Sequence, residues 1–565
     1  MYHTAMRIMS RPVFSSALFA LAVGIPLIAV SSLVAFDSPL TDAPPSDTGP
    51  DYDVSPAVLA VARIVIWLGI RFVFLVLLAV AIYFARRFFS RVRSGDPVYR
   101  RWLIVSSGFI GVNTIVLLLI WPGFWVFDEF YVLADVQENW LGTWQHIFTS
   151  IYFGVALTAI PIPSGILIVQ YVFASFVAGY VVARSWSLFS RPKLAYLLIL
   201  PFLFFPVLLF NQFPLRVTMV TYIELAVLFR ALVIWLRRDL VTNRYREFFF
   251  LTTALTIAAF WRSETAPLLL LIPVLAILLR VFRPTEAGVP LRRAVAVLIA
   301  TALAFTGIAG LSVASSSPRY PITAALNPLS IMLQEPLGGP NLTRNLEAID
   351  RVVDVQKVRE VPDIFNIHLD RALRPDYRAH LTEFELAYAS LVIENPTAFL
   401  NARIRTFLAT NSIGDIPGNE IQGGGFLAKS AERYLGAFQA RNPSAVPLSE
   451  EVRFATVRTL LLVPSGTSPT PLTPIVWTVI PVLLALFVSL IVALFRRCWM
   501  FATTFAILLA QAGITFVTAP ASYFMYYWAV YLAGWVLVGF FALRPIRARD
   551  GRPSLTKPTS RMLDV

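Results

Sequence analysis

Asp128 and Glu129 stand side by side in a stretch crowded with aromatic residues, Trp121 to His146: WPGFWVFDEFYVLADVQENWLGTWQH. An apolar run over 103–120 leads into it. The two carboxylates therefore sit at the mouth of a membrane span, where ionisable groups are costly and point to function. A carboxylate placed there can take a proton from an attacking hydroxyl. The plain alternative is a pair of solvated loop acids within an aromatic belt. The adjacent acids also invite a divalent cation, Mg or Mn, although two residues alone do not complete a coordination shell.

Other charged residues fall at predicted span ends. Arg216 opens one apolar run, Arg262 and Glu264 occupy a short turn between two others, and Arg319 with Tyr320 opens a long polar segment. Arginines hold phosphate by bidentate, charge-assisted bonds. A carboxylate pair facing a ring of arginines suits one task well: a hydroxyl attacks a sugar and a lipid-linked phosphate leaves. The predicted catalytic residues are Asp128 and Glu129. The predicted substrate-binding residues are Arg216, Arg262, Glu264, Arg319, Tyr320 and His146. Each has a structural alternative. Arg262 and Glu264 can neutralise each other, Arg216 can snorkel to the interface, and His146 can be an interface residue with no part in chemistry. Arg403 and Arg405 read as a solvated helix face rather than as phosphate ligands.

These residues must be positioned by a membrane scaffold. Of 565 residues, 57% are hydrophobic and only 14% charged, and the mean hydropathy is +0.70. A soluble chain would be nearer about a quarter charged. Apolar runs of about 20 residues recur, each long enough to cross about 30 Å of hydrocarbon as a helix. The net charge of +14 is no argument for nucleic acid, because much of it lies in short loops between spans, where it sets orientation. One cysteine, Cys498, excludes an internal disulfide, and the four histidines show no paired-ligand spacing.

The runs predict twelve spans, near 12–35, 57–84, 103–120, 164–183, 194–210, 217–236, 248–260, 266–279, 294–313, 475–495, 501–517 and 527–543. The run 147–160 is too short to span and ends at Pro161 and Pro163, so it reads as an interfacial helix. The basic loops (Arg86 to Arg101, Arg184 to Lys193, Arg237 to Arg246, Arg280 to Arg293, Arg496 and Arg497) all fall on one side. This makes both termini cytoplasmic and turns every candidate residue outward. Glu224 is the main charge expected within a span.

The expected fold class is all-α. It comprises an N-terminal membrane domain over 1–313, with the catalytic first outer loop at 121–161, an external, mainly helical domain over 314–472, three spans over 473–543 and a basic cytoplasmic tail over 544–565. In the late segment, 342–360, 377–393 and 398–410 read as helices. Asn395-Pro396 stops one helix and starts the next.

The early loop with WPG…DE and a following WQH resembles the first external loop of the GT-C class of integral membrane glycosyltransferases. NPLSIMLQEPLGG, LVIENPTAFLNARIRTFL and the final ASYFMYYWAVYL resemble the outer regions of bacterial multi-spanning members of that class. The resemblance extends over most of 121–543 and departs from the pattern at His146, which is followed by Ile147 rather than proline. It implies that Asp128, with Glu129 as second candidate, is the first-loop acid serving as base or metal ligand, and that Arg262 fills a basic outer position. It implies a polyprenyl-phosphate sugar donor, an envelope glycan, lipid or protein acceptor, and a location in a bacterial inner or plasma membrane with the site facing out. The competing expectations are a transporter or flippase, and a polymerase or ligase of lipid-linked surface polysaccharide.

Overall fold

The computed structural model describes residues 12–33, 38–39, 55–125, 127–142, 145–281, 291–314, 320–362, 372–411, 413, 435–462 and 471–544. Among them the ordered elements are helices. The one β-type pairing is an isolated bridge between Val353 and Leu373.

The first three helices show how the chain sets its boundaries. α1 (Pro12–Leu33) lies along α2 (Pro56–Arg93). α2 begins with proline at its first position, where the missing N–H costs nothing. It ends at Ser94, and Gly95 follows at φ +83°, a conformation that suits glycine. Asp96 then caps α3 (Pro97–Leu119), its carboxylate accepting from Val98 N at 2.9 Å. α3 leads to the short helices α4 (Phe127–Gln137) and α5 (Ile147–Ala159), and then to α6 (Gly165–Leu188). α6 packs closely on α3. A Cβ on Gly179 would lie 2.1 Å from Ser106 Oγ, so glycine is what lets the two backbones approach.

The chain next runs through a 3-10 stretch, Pro192–Leu203, bent by 67° against α7 (Phe205–Asn211). Pro201 and Pro206 remove backbone donors there. α8 (Arg216–Leu236) and α9 (Arg244–Trp261) follow, then a 3-10 turn, Ser263–Leu270, which runs into α10 (Leu271–Leu278), and α11 (Leu291–Ala314). The late segment forms α12 (Tyr320–Met332), α13 (Leu342–Asp350), α14 (Val355–Glu360), α15 (Leu381–Glu394), α16 (Pro396–Thr410) and α17 (Glu450–Leu461). The short α18 (Thr473–Val476) precedes α19 (Ile480–Phe495), α20 (Trp499–Thr518) and α21 (Trp528–Leu543).

Among the described residues seven helices are long and apolar enough to cross a membrane: α1, α2, α3, α6, α8, α11 and α20. The bent pair would make an eighth. Twelve spans were expected, and the remaining apolar runs are shorter or interrupted. α19 and α21 are apolar but only 16 residues long, about 24 Å at the helical rise. The expected run 266–279 starts as a 3-10 turn containing Pro267. The run 248–260 lies within α9, which begins with Arg244, Arg246 and Glu247.

One core holds the bundle together. α8 is at its centre and mostly buried, whereas α11 lies at the edge and is mostly exposed. The segment expected as one external unit divides its apolar residues between two cores. Ile322, Leu326, Leu329, Ile349, Phe384 and Leu391 form a separate cluster, while Phe438, Ala445, Val457, Leu460 and Leu461 join the bundle core. Arg403 is not on a solvated face: it is 1% exposed. Its Nε donates to Phe516 O at 2.6 Å and its Nη1 to Asn327 Oδ1 at 3.0 Å, fixing α16 to the end of α20. Arg405 is exposed, as expected.

Candidate functional site

The stretch from Trp121 is pinned on several sides. Trp121 Nε1 donates to Ser444 O at 2.8 Å, Ser164 Oγ to Pro122 O at 3.0 Å, and Phe124 N to Gln212 O at 2.9 Å. Arg453 Nη2 reaches Gly123 O at 3.4 Å. Gly123 has φ +107°, and a Cβ there would lie 2.1 Å from Leu167 Cδ1 and 3.2 Å from Gln212 O. Any other residue is strained there by conformation and needs Leu167 to move. Trp125 stacks on Phe130 and packs against Phe438, closing the turn with apolar area.

This anchored turn delivers Asp128 and Glu129 to the first turn of α4, where the helix macrodipole favours negative charge. Asp128 is half-buried; Glu129 is fully buried and accepts from Gln145 Nε2 at 3.3 Å. At the far end of α4, burial and then the neighbouring Glu138 push the Asp135 carboxyl up to about 7.

Gln145 leads directly into α5. Its carbonyl accepts from Thr149 Oγ1 at 2.6 Å, and Thr149 Oγ1 in turn accepts from Trp261 Nε1 at 2.9 Å. A hydrogen-bonded path therefore runs from Glu129 through Gln145 and Thr149 to the residue before Arg262. His146 caps α5 at φ +73°, its Nδ1 accepting from Phe148 N at 3.2 Å. Burial, and then the positive charge of Arg216, push the imidazole down to about 4. The ring is neutral near pH 7, and with Nδ1 an acceptor the proton belongs on Nε2. That nitrogen donates to Ser312 Oγ, 3.0 Å away on α11. Ser312 Oγ donates onward to Phe260 O at 3.2 Å. His146 thus ties α5 to α11 and α9 beside the charged centre.

Arg262 ends α9, and Glu264 lies in the turn after it. The two are 6% and 5% exposed and form an ion pair, with Arg262 Nε 3.0 Å from Glu264 Oε1 and Nη2 on the same oxygen. Arg216, half-buried, acts electrostatically on both His146 and Glu264. Two turns further along α8, fully buried Glu224 accepts from Gln511 Nε2 of α20 at 3.4 Å and feels the charges of Arg262 and Glu264. Arg216 and Arg262 thereby both act on Glu264, and Arg262 acts on Glu224 as well. This is the arrangement buried charges require.

The turn that presents Arg216 is held from below by amides. Asn211 Nδ2 and Gln212 Nε2 both donate to Asn113 Oδ1, at 3.0 and 3.2 Å, and Tyr222 OH donates to Asn211 Oδ1 at 2.8 Å. Gln170 Nε2 donates to the carbonyl of Phe213 at 2.8 Å.

The structure thus brings five of the sequence candidates, Glu129, His146, Arg216, Arg262 and Glu264, into one connected polar region, with Asp128 beside Glu129 in the same helical turn. Arg319 lies outside the described residues. Tyr320 begins α12, and its side chain is outside them as well. Among the described residues no three His, Cys, Asp or Glu side chains converge on one point.

Sequence reasoning missed Gln145, Thr149, Trp261 and Gln511. The signal for Gln511, as for Asn113 and Gln170, was available: an amide inside an apolar run must find a partner. It also missed charges within spans other than Glu224. Arg71 lies mid-helix in α2 with its guanidinium 5.1 Å from the Trp67 ring centre, and its buried Nε has no hydrogen-bond partner. Arg230 of α8 pairs with Glu247 at 2.6 Å.

Comparison of the chain with family models, curated proteins and solved structures finds no match.

Proposed function

We propose that this multi-pass membrane protein is a glycosyltransferase that moves a sugar from a polyprenyl-phosphate donor to a cell-envelope acceptor. Asp128 acts as base, with Glu129 behind it. The observation that carries this reading is the connected polar centre at one end of the bundle, where the acidic turn of α4 is linked through Gln145 and Thr149 to the Arg262–Glu264 pair.

The chemistry assigns each group a task. Asp128 is the more accessible carboxylate and takes the proton from the acceptor hydroxyl as its oxygen attacks the sugar's anomeric carbon. The bond from that carbon to the phosphate oxygen breaks, and the polyprenyl phosphate leaves with the bonding electrons, inverting the anomeric centre. Glu129, buried and held by Gln145, sets the local field rather than carrying the proton. Arg216, half-buried at the start of α8, is the guanidinium placed to meet the leaving phosphate. Arg262 is already engaged by Glu264 and orients the site rather than neutralising substrate alone.

The test is transfer of labelled sugar from a polyprenyl-phosphate donor by the purified chain. Asp128→Asn abolishes transfer while thermal unfolding in detergent stays unchanged; full activity in that variant overturns the assignment.

Transport or flipping of a lipid-linked substrate is the second reading. Its specific support is the set of charges within spans, Glu224 with Gln511, Arg230 with Glu247, and Arg71, since charged residues inside a bilayer mark transport paths. Movement of a labelled lipid-linked substrate across reconstituted vesicles without sugar transfer would favour it. Turnover of polyprenyl-diphosphate oligosaccharide instead of monophosphate sugar would point to a polymerase or ligase.

A further inference from the structure

A second feature lies at the other end of the same bundle. The Gln511–Glu224 contact is 12 residues into α20 from Trp499, about 18 Å along the helix. At the Trp499 end, a cavity of about 340 Å³ opens between α19 and α21. Its apolar wall includes Val488, Val492 and Phe541; its polar side is Ser489, Arg496 and Arg544. Arg496 and Arg544 are the residues at which α19 and α21 end. Their helix C-termini favour the cations being there but do not neutralise them. Among the described residues neither forms an ion pair. Phe495, the last residue of α19, and Trp499, the first of α20, are 84% and 61% exposed, and exposed aromatic residues at helix ends mark the level of lipid headgroups.

We infer that this cavity binds an anionic phospholipid of the adjacent leaflet, its phosphate between Arg496 and Arg544 and the upper part of an acyl chain along Val488, Val492 and Phe541. Two guanidiniums at the rim match a phosphodiester in charge and in donor geometry, and the apolar wall below matches the chain attached to it. Basic pockets between membrane helices take anionic headgroups for this reason. The sequence after Arg544 is itself basic on balance, with Arg547, Arg549, Arg552, Lys557 and Arg561 against Asp550 and Asp564. The inference is independent of sugar transfer, because its readout is lipid retention.

The experiment uses the full chain reconstituted in nanodiscs containing equal phosphatidylglycerol and phosphatidylcholine, with retained lipid measured by native mass spectrometry. The wild-type chain retains phosphatidylglycerol in preference. The double variant Arg496→Gln/Arg544→Gln loses that preference roughly 25-fold, the product of about fivefold for each arginine near a charged surface. Arg351→Gln, which removes an exposed arginine paired with Glu383, leaves it unchanged. Equal retention of the two lipids by the wild-type chain overturns the inference, and so does undiminished preference in the double variant.

Discussion

The two ends of this bundle hold arginine in opposite ways. At one end Arg262 is buried to 6% exposure and bound to Glu264, on which Arg216 also acts. At the other end Arg496 and Arg544 line an open cavity and form no ion pair among the described residues. The difference follows from solvent. A guanidinium sealed inside a helix bundle has no water or lipid headgroup to draw on, so the protein must supply the carboxylate. One at the interface can leave its counter-charge to the membrane. A buried arginine therefore reports on the protein's own charge pairing, and an interfacial one on the surroundings.

The comparison can be broken at several points. The largest effect belongs to Glu264→Gln, which strands Arg262 and costs about 3–5 kcal/mol of stability, read as a loss of thermal stability in detergent. The paired change Arg262→Met/Glu264→Leu costs much less, because no charge is left uncompensated. Equal losses in the two variants would mean that packing, not charge, dominates the turn. Asp128→Asn lowers sugar transfer by about 100-fold or more, the scale of a lost general base, with little change in unfolding. Gly123→Ala costs about 1–3 kcal/mol, because alanine must adopt a positive φ against Leu167.

A smaller effect is expected from pH. His146 is neutral in the folded chain with its pKa pushed down to about 4, below the ordinary histidine value of 6.5. The unfolded chain binds the proton more readily. The stability His146 contributes is therefore complete above about 6.5 and is lost as pH falls through 4. His146→Ala removes a helix cap worth about 1 kcal/mol and flattens that acid limb of the stability profile. Asp135 has the opposite sign. Burial and Glu138 raise its carboxyl to about 7, so its contribution is most favourable at low pH and declines as pH rises from 3.8 through 7. Asp135→Asn removes that decline, and an unchanged profile would place the titrating group elsewhere. The smallest effect is that of Arg496→Gln/Arg544→Gln on unfolding itself, within about 0.5 kcal/mol, since their partner lies outside the protein.

Much of the scaffold was legible in the chain. Hydropathy marked the apolar helices because lipid demands an internally bonded backbone and an apolar surface. Asn395-Pro396 marked a helix start because proline fits the first helical position, where its missing N–H costs nothing. Hydropathy did not show that the runs 194–210 and 266–279 would break, since their length satisfied the count while Pro201, Pro206 and Pro267 decided the geometry.

The site was legible in part. Asp128, Glu129, Arg216, Arg262 and Glu264 stood out because charge beside apolar runs is costly and therefore informative. Their grouping was not legible. Gln145 reaches Glu129 across 16 residues, Trp261 reaches Thr149 across 112, and Gln511 reaches Glu224 across 287. A sequence pattern reports the cost of placing each polar group. Which group compensates which is set by the approach of distant helices, and so by the tertiary structure. Arg403 illustrates this: its spacing read as a solvent face, but Asn327 and the carbonyl of Phe516 take it into the interior. The sequence by itself determined that this chain is a helical membrane protein and which residues are costly to keep. The Arg262–Glu264 pair is local and was legible, but the tertiary structure alone decided that Gln145 would meet Glu129, that Gln511 would meet Glu224 and that Arg496 and Arg544 would line one cavity, because those meetings depend on distances between helices that no local pattern encodes.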